Sequence, residues 1–178
     1  LGFLFSVDYV FNDILEPHQQ VRIKVSLGLE DDPSGAGYNV NQSKIAIGSG
    51  GLTGKGFLNG TQTKLKYVPE QDTDFIFCTV GEEQGFVGAT AVLLLFGIFI
   101  LRLIALAERQ DNAFGRIYGY SVASIFIFHL AINVGMVTGL TPVIGIPLPF
   151  FSYGGSSLWG FTTLLFIFLR LDASGKDR

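Results

Sequence analysis

Residues 68–77 read VPEQDTDFIF, so Glu70, Asp72 and Asp74 place three carboxylates within five positions before the chain turns apolar. Burying an unpaired carboxylate costs several kcal/mol, so acids at such a boundary are either loop solubility or are held there for chemistry. A carboxylate positioned near a reacting hydroxyl can act as a general base. Lys44, Lys55, Lys64 and Lys66 lie upstream and could offset the charge of an anion, although exposed lysines usually do nothing specific. Glu82 and Glu83 follow at the start of the next helix, where acids complement the helix dipole; Glu83 is also a candidate for holding a cation. The glycine-dense stretch GSGGLTGKGFLNGTQ (48–62) fails the P-loop pattern at Ser49 and Gly56 and the GxGxxG pattern at Thr53. It remains either a flexible connector or a set of amides that, with Lys55, holds an anion. His129 and Asn133 share a helix face four residues apart; without a third ligand they read as interhelical hydrogen bonders rather than a metal site.

The elements that must carry these residues are set by composition. The chain has 178 residues and a net charge of −3, which excludes an electrostatic nucleic-acid binder. Seventeen phenylalanines and a mean hydropathy of +0.44 point to a membrane. One cysteine, Cys78, excludes an internal disulfide and a cysteine metal cluster. The only methionine is Met136 and the opening LGFLFSVDYVF is apolar, so residues 1–12 are expected to be the tail of a truncated span in a longer protein. Residues 117–169 contain no Asp, Glu, Lys or Arg. Pro142, Pro147 and Pro149 divide that run into spans at 117–138 and 154–171 around a turn at 139–153. A third span is expected at 86–107. Arg109 and Arg116 in one short loop, and Arg170, Lys176 and Arg178 in the tail, make 108–116 and 172–178 cytoplasmic. Residues 13–85 then form a large extracytoplasmic loop, with a short helix near 37–47, and the acid cluster lies at the outer boundary. The fold class is an all-α polytopic membrane protein.

The stretch NVGMVTGLTPVIGIPLPFFSYGGSS (133–157) resembles the signature of the SEDS family (shape, elongation, division and sporulation). NQSKIAIGSGGLTGKGFLNGTQ, YVPEQDTDFIF and GEEQGFVG are similar to that family's large outer loop, so the resemblance covers nearly the whole chain. It implies the C-terminal part of a fold with roughly ten spans of membrane length. It also implies a peptidoglycan glycosyltransferase that polymerises lipid II at the outer face of the bacterial cytoplasmic membrane and releases undecaprenyl diphosphate. A divalent cation (Mg or Mn) and a class B penicillin-binding protein as partner come with it, and no organic cofactor. The wording at 54–62 and 145–155 is closer to the RodA-like, rod-shape branch than to the division branch. The essential aspartate of the family corresponds to Asp74, with Asp72 the lesser candidate. Gln42, Ser43, Lys55, Gln62, Lys64 and Ser152 are the expected substrate contacts. The chemistry agrees: the acceptor hydroxyl must lose a proton, and a diphosphate leaves without one, so a single carboxylate suffices. Two other readings compete, a flippase for the lipid-linked precursor and a non-catalytic scaffold of the wall-synthesis complex. A transporter is expected to carry ionisable groups within its spans, and 117–138 and 154–169 have no acid, lysine or arginine.

Overall fold

The computed structural model describes residues 9–26, 29 and 35–175. Among them the chain is helix and turn, with no strand. A π-helical turn, Val10–Ile14, is followed by α1 (Pro17–Ser26), α2 (Ala36–Gly50), α3 (Thr61–Lys64), α4 (Ile76–Glu108), α5 (Ala113–Thr138) and α6 (Gly155–Gly175). Most of the expected truncated span and the basic residues Lys176 and Arg178 lie outside the described residues.

Helix α4 starts ten residues before the expected span, at Ile76 rather than 86. The difference has a local cause at Gly85, where the backbone leaves the helical region (φ +66°, ψ −163°). A side chain there would run into the Gly54 amide, so glycine is needed for both the conformation and the close approach. The kink separates a short outer segment, residues 76–84, from the apolar run 86–108. At ~1.5 Å per residue that run is about 35 Å long, enough for the hydrocarbon core. Helix α5 begins at Ala113, four residues earlier than expected, because Asn112 Oδ1 caps the Phe114 amide at 3.0 Å. It ends at Gly139 in the left-handed conformation.

Among the described residues α4 and α5 are long and apolar enough to cross a membrane. Helix α6 stands where the third span was expected and has 21 residues. Ser156, Ser157, Thr162, Thr163, Arg170 and Asp172 dilute it, so two helices rather than three meet the requirement on composition.

Two apolar clusters hold the helices together. One gathers Ala46, Phe75, Phe77, Cys78, Met136, Val137 and Leu148 where α2 meets the outer part of α4 and the end of α5. The other gathers Leu103, Ala107, Val122, Phe126, Phe161 and Phe168 between α4, α5 and α6. Phe150 stacks on Phe126 (centroids 5.6 Å apart) and Phe151 packs on Phe96 (5.7 Å), which pins the 139–154 segment to α4 and α5. At the far end Arg109 grips both carboxylate oxygens of Asp172, and Gln110 Nε2 donates to Oδ1 at 2.5 Å. The 108–116 loop and the end of α6 therefore lie at one end of the bundle, and the Asp74 turn with the 139–154 segment at the other.

Candidate functional site

Residues 70–75 wind around one oxygen. The Glu70 carbonyl accepts from the amides of Thr73 (3.2 Å), Asp74 (3.1 Å) and Phe75 (3.1 Å). Glu70 itself sits at φ +53°, an unfavourable conformation for a residue with a Cβ. The turn is then fixed from outside through three consecutive carbonyls. Tyr153 N–H donates to Asp72 O at 2.8 Å, Ser152 Oγ to Thr73 O at 2.6 Å, and Asn133 Nδ2 to Asp74 O at 2.8 Å. Asn133 is fully buried, and its second amide proton goes to Ile146 O, also at 2.8 Å. Its Oδ1 has no partner among the described residues. The amide thus spends both donors on these two carbonyls while leaving its own acceptor unmet. His129 Nδ1 lies 3.2 Å from Pro147 O. The pair expected to join helices instead grips the segment between α5 and α6.

The Asp74 carboxylate points at that segment. A Cβ placed on Gly145, at φ +79°, would sit 3.1 Å from Asp74 Oδ2, so glycine suits both the left-handed conformation and the close approach of the carboxylate. Burial holds the Asp74 carboxyl above its ordinary value, and the nearby negative charge of Glu70 adds to the effect. A half-buried carboxylate with a raised proton affinity, on a turn held through three consecutive carbonyls, has the properties of a general base. Beside it, Lys66, Glu70, Gln71, Asp72, Thr73 and Tyr153 line a pocket of about 270 Å³.

Several expected substrate contacts have other work. Ser43 is fully buried, and its hydroxyl donates to Val137 O at 2.5 Å and lies 3.0 Å from Val40 O, so it joins α2 to α5. Ser152 accepts from Leu148 N at 2.7 Å while holding Thr73, so it positions the turn instead of lining a cavity. Lys55 is paired with the buried Glu82 at 2.7 Å. The glycine-dense loop is strapped to α4: Lys55 N and Gly56 N donate to the carbonyls of Glu82 and Glu83, and Phe86 N and Val87 N to those of Gly51 and Leu52. Its amides at 55 and 56 are thereby spent on the carbonyls of α4. Glu82 does not simply open a helix; it accepts from the Gln62 and Thr63 amides, both at 2.9 Å, and caps α3. Gln42 and Gln62 are half-buried and Lys64 is exposed; no described hydrogen bond joins them to Asp74. Glu83 is buried, but among the described residues no three His, Cys, Asp or Glu side chains gather as metal ligands. A divalent cation held by one or two carboxylates together with a phosphate ligand would not need such a cluster.

Comparison with known proteins gives the context. The FtsW/RodA/SpoVE profile, described as "Cell cycle protein", matches residues 2–177. The chain is 47% identical over 145 residues to the peptidoglycan glycosyltransferase MrdB of Escherichia coli (strain K12), covering 82% of this chain and 39% of MrdB. It is 44% identical over 146 residues to the peptidoglycan glycosyltransferase RodA of Treponema pallidum (strain Nichols), covering 82% of this chain and 34% of that protein. A structure described as "Structural coordination of polymerization and crosslinking by a peptidoglycan synthase complex" superposes with a TM-score of 0.74 at 28% identity, over 97% of this chain and 47% of that one. The chain thus spans less than half the length of these curated relatives. With nearly every residue inside the match, the chain belongs to the FtsW/RodA/SpoVE family.

Proposed function

We propose that the full-length protein is a peptidoglycan glycosyltransferase that polymerises lipid II at the outer face of the cytoplasmic membrane, with Asp74 as general base. The observation that carries this reading is a half-buried carboxylate at one end of a membrane bundle, fixed through three consecutive backbone carbonyls. A lipid-linked substrate keeps its tail in the bilayer and its sugars outside, and the turn stands just before α4 becomes apolar. The acceptor hydroxyl gives its proton to an Asp74 oxygen while its own oxygen bonds to the anomeric carbon of the donor. The bond from that carbon to the diphosphate breaks, and undecaprenyl diphosphate leaves with the electron pair. A divalent cation enters this reading only as a counter-ion carried by the diphosphate, and no step runs through it.

The names of MrdB and RodA support the glycosyltransferase activity, and the RodA name supports a role in side-wall elongation. The likeness to a synthase complex that couples polymerization to crosslinking supports a class B penicillin-binding protein as partner. The deciding experiment compares Asp74→Asn and Asp72→Asn in the full-length protein with its partner, using labelled lipid II and glycan chains resolved on a gel. Loss of a general base costs ~10²–10⁴-fold, so Asp74→Asn should yield almost no chains and Asp72→Asn near-normal ones. Near-normal chains from Asp74→Asn would remove the base and favour the scaffold. In the native host, depletion should round the cells; filaments with blocked septa would reassign the branch.

A further inference from the structure

We propose that Arg22 and Lys44 form the seat for the diphosphate of the lipid-linked substrate, along the 139–145 segment whose end lies against Asp74. The inference rests on the lipid II reading above. Departure of a diphosphate concentrates negative charge that cations must meet, and Lys55 is already committed to Glu82. Two other cations converge on the segment between α5 and α6. Arg22, exposed on α1, donates from Nη1 to Val143 O at 3.0 Å. Lys44, exposed on α2, reaches Gly139, where a Cβ would lie 2.5 Å from its Nζ. Neither pairs with a carboxylate among the described residues.

The geometry ties Arg22 to the base, and Lys44 to the start of the same segment. Val143 and Gly145 are two residues apart, at most about 7 Å along the chain, and Gly145 is the residue against Asp74 Oδ2. Arg22 spends one donor on Val143 O and keeps the rest of its fork for an anion. Lys44 makes no described hydrogen bond, so its ammonium is available. Both stand at the end of α5 that carries the Asp74 turn, where the lipid II reading puts the diphosphate. The plainer reading is that Lys44 complements the C-terminal dipole of α5 and Arg22 clips a loop. That reading predicts a loss of stability without a loss of diphosphate affinity.

The test uses the full-length protein with its transpeptidase partner, in vesicles of phosphatidylcholine with and without phosphatidylglycerol. Polymerisation kinetics and competition by undecaprenyl diphosphate are measured for Arg22→Gln, Lys44→Gln and Lys44→Arg. Loss of a charge-assisted contact should raise the lipid II KM and weaken undecaprenyl diphosphate inhibition by about tenfold for each Gln variant, in both vesicle types, with Lys44→Arg close to wild type. Unchanged inhibition, with or without a lower melting temperature, overturns the proposal. So does a defect seen only with phosphatidylglycerol, which would assign the cations to bulk anionic headgroups. Asp74→Asn serves as the separate control. If it makes no glycan yet binds undecaprenyl diphosphate normally, the base reading stands whatever Arg22 and Lys44 do; if it polymerises, that reading fails on its own.

Discussion

Asn133 holds Asp74 by its backbone and not by its carboxylate: the buried amide donates 2.8 Å to the Asp74 carbonyl and 2.8 Å to that of Ile146. Substituting Asn133→Leu keeps much of the volume and removes both donors. Each buried carbonyl left without a partner costs about 1–3 kcal/mol, and a base displaced by about 1 Å can lose ~10²-fold in rate. The expected result is a large fall in kcat for lipid II with KM little changed. A folded Asn133→Leu protein with wild-type kcat would show that the turn holds itself.

The Lys55–Glu82 pair is predicted to govern folding and not substrate charge. Glu82 has no exposed surface and accepts from Lys55, Gln62 and Thr63. Removing Lys55 leaves that carboxylate buried without its counter-ion, a loss of up to about 3 kcal/mol. Lys55→Met should lower the melting temperature of the full-length protein in detergent, and Lys55→Met with Glu82→Gln should recover part of it. Inhibition by undecaprenyl diphosphate should not change in either. A weakened inhibition at unchanged stability would return Lys55 to the substrate.

Much of this was legible in the sequence because membrane helices announce themselves by composition. The uncharged run 117–169 and its prolines placed α5, the following segment and α6 to within a few residues. Gly85 was less legible, since a glycine inside an apolar helix gives no sign of a kink until the loop that approaches it is known. The lysines could not be told apart for a related reason: Lys55 and Lys44 are equally plain in the chain, and only the fold shows that one faces Glu82 and the other Gly139. The structural partners of Ser43 and Ser152 were not legible either, because a hydroxyl on a helix or turn is readily spent on a carbonyl remote in the chain. The link from Asn133 to Asp74 spans 59 residues and has no local signal at all.

The charge of the short loops gives the two ends of the bundle a predicted sidedness. Residues 108–116 are expected inside and residues 13–85 outside. Asn112→Cys and Asn59→Cys stand at exposed positions on either side, while the native Cys78 is buried and should stay silent. A membrane-impermeant thiol reagent added to intact cells should label position 59 and not position 112. The reverse pattern would invert the protein and place Asp74 on the cytoplasmic side, ending the extracytoplasmic polymerase reading.

Asp74 should trade stability for activity, and pH exposes the trade. Its proton affinity is raised first by burial and second by Glu70, so the folded protein holds that proton more tightly than the unfolded chain does. Between the ordinary carboxylate value and the raised one, the native state binds more protons, and the Asp74 contribution to stability grows as pH falls. At neutral pH the ionised carboxylate is therefore a destabilising group, and Asp74→Asn should melt at or above the wild-type temperature. That difference should vanish in acid, where wild-type Asp74 is itself neutral. Activity moves in the opposite sense, because a base must be ionised to accept the hydroxyl proton. The acid limb of the kcat/KM profile should fall above the range of a free carboxylate, and Glu70→Gln, by removing the nearby negative charge, should move it to lower pH. An acid limb at the ordinary carboxylate value, or one that does not respond to Glu70→Gln, would mean that the group controlling the reaction is not Asp74.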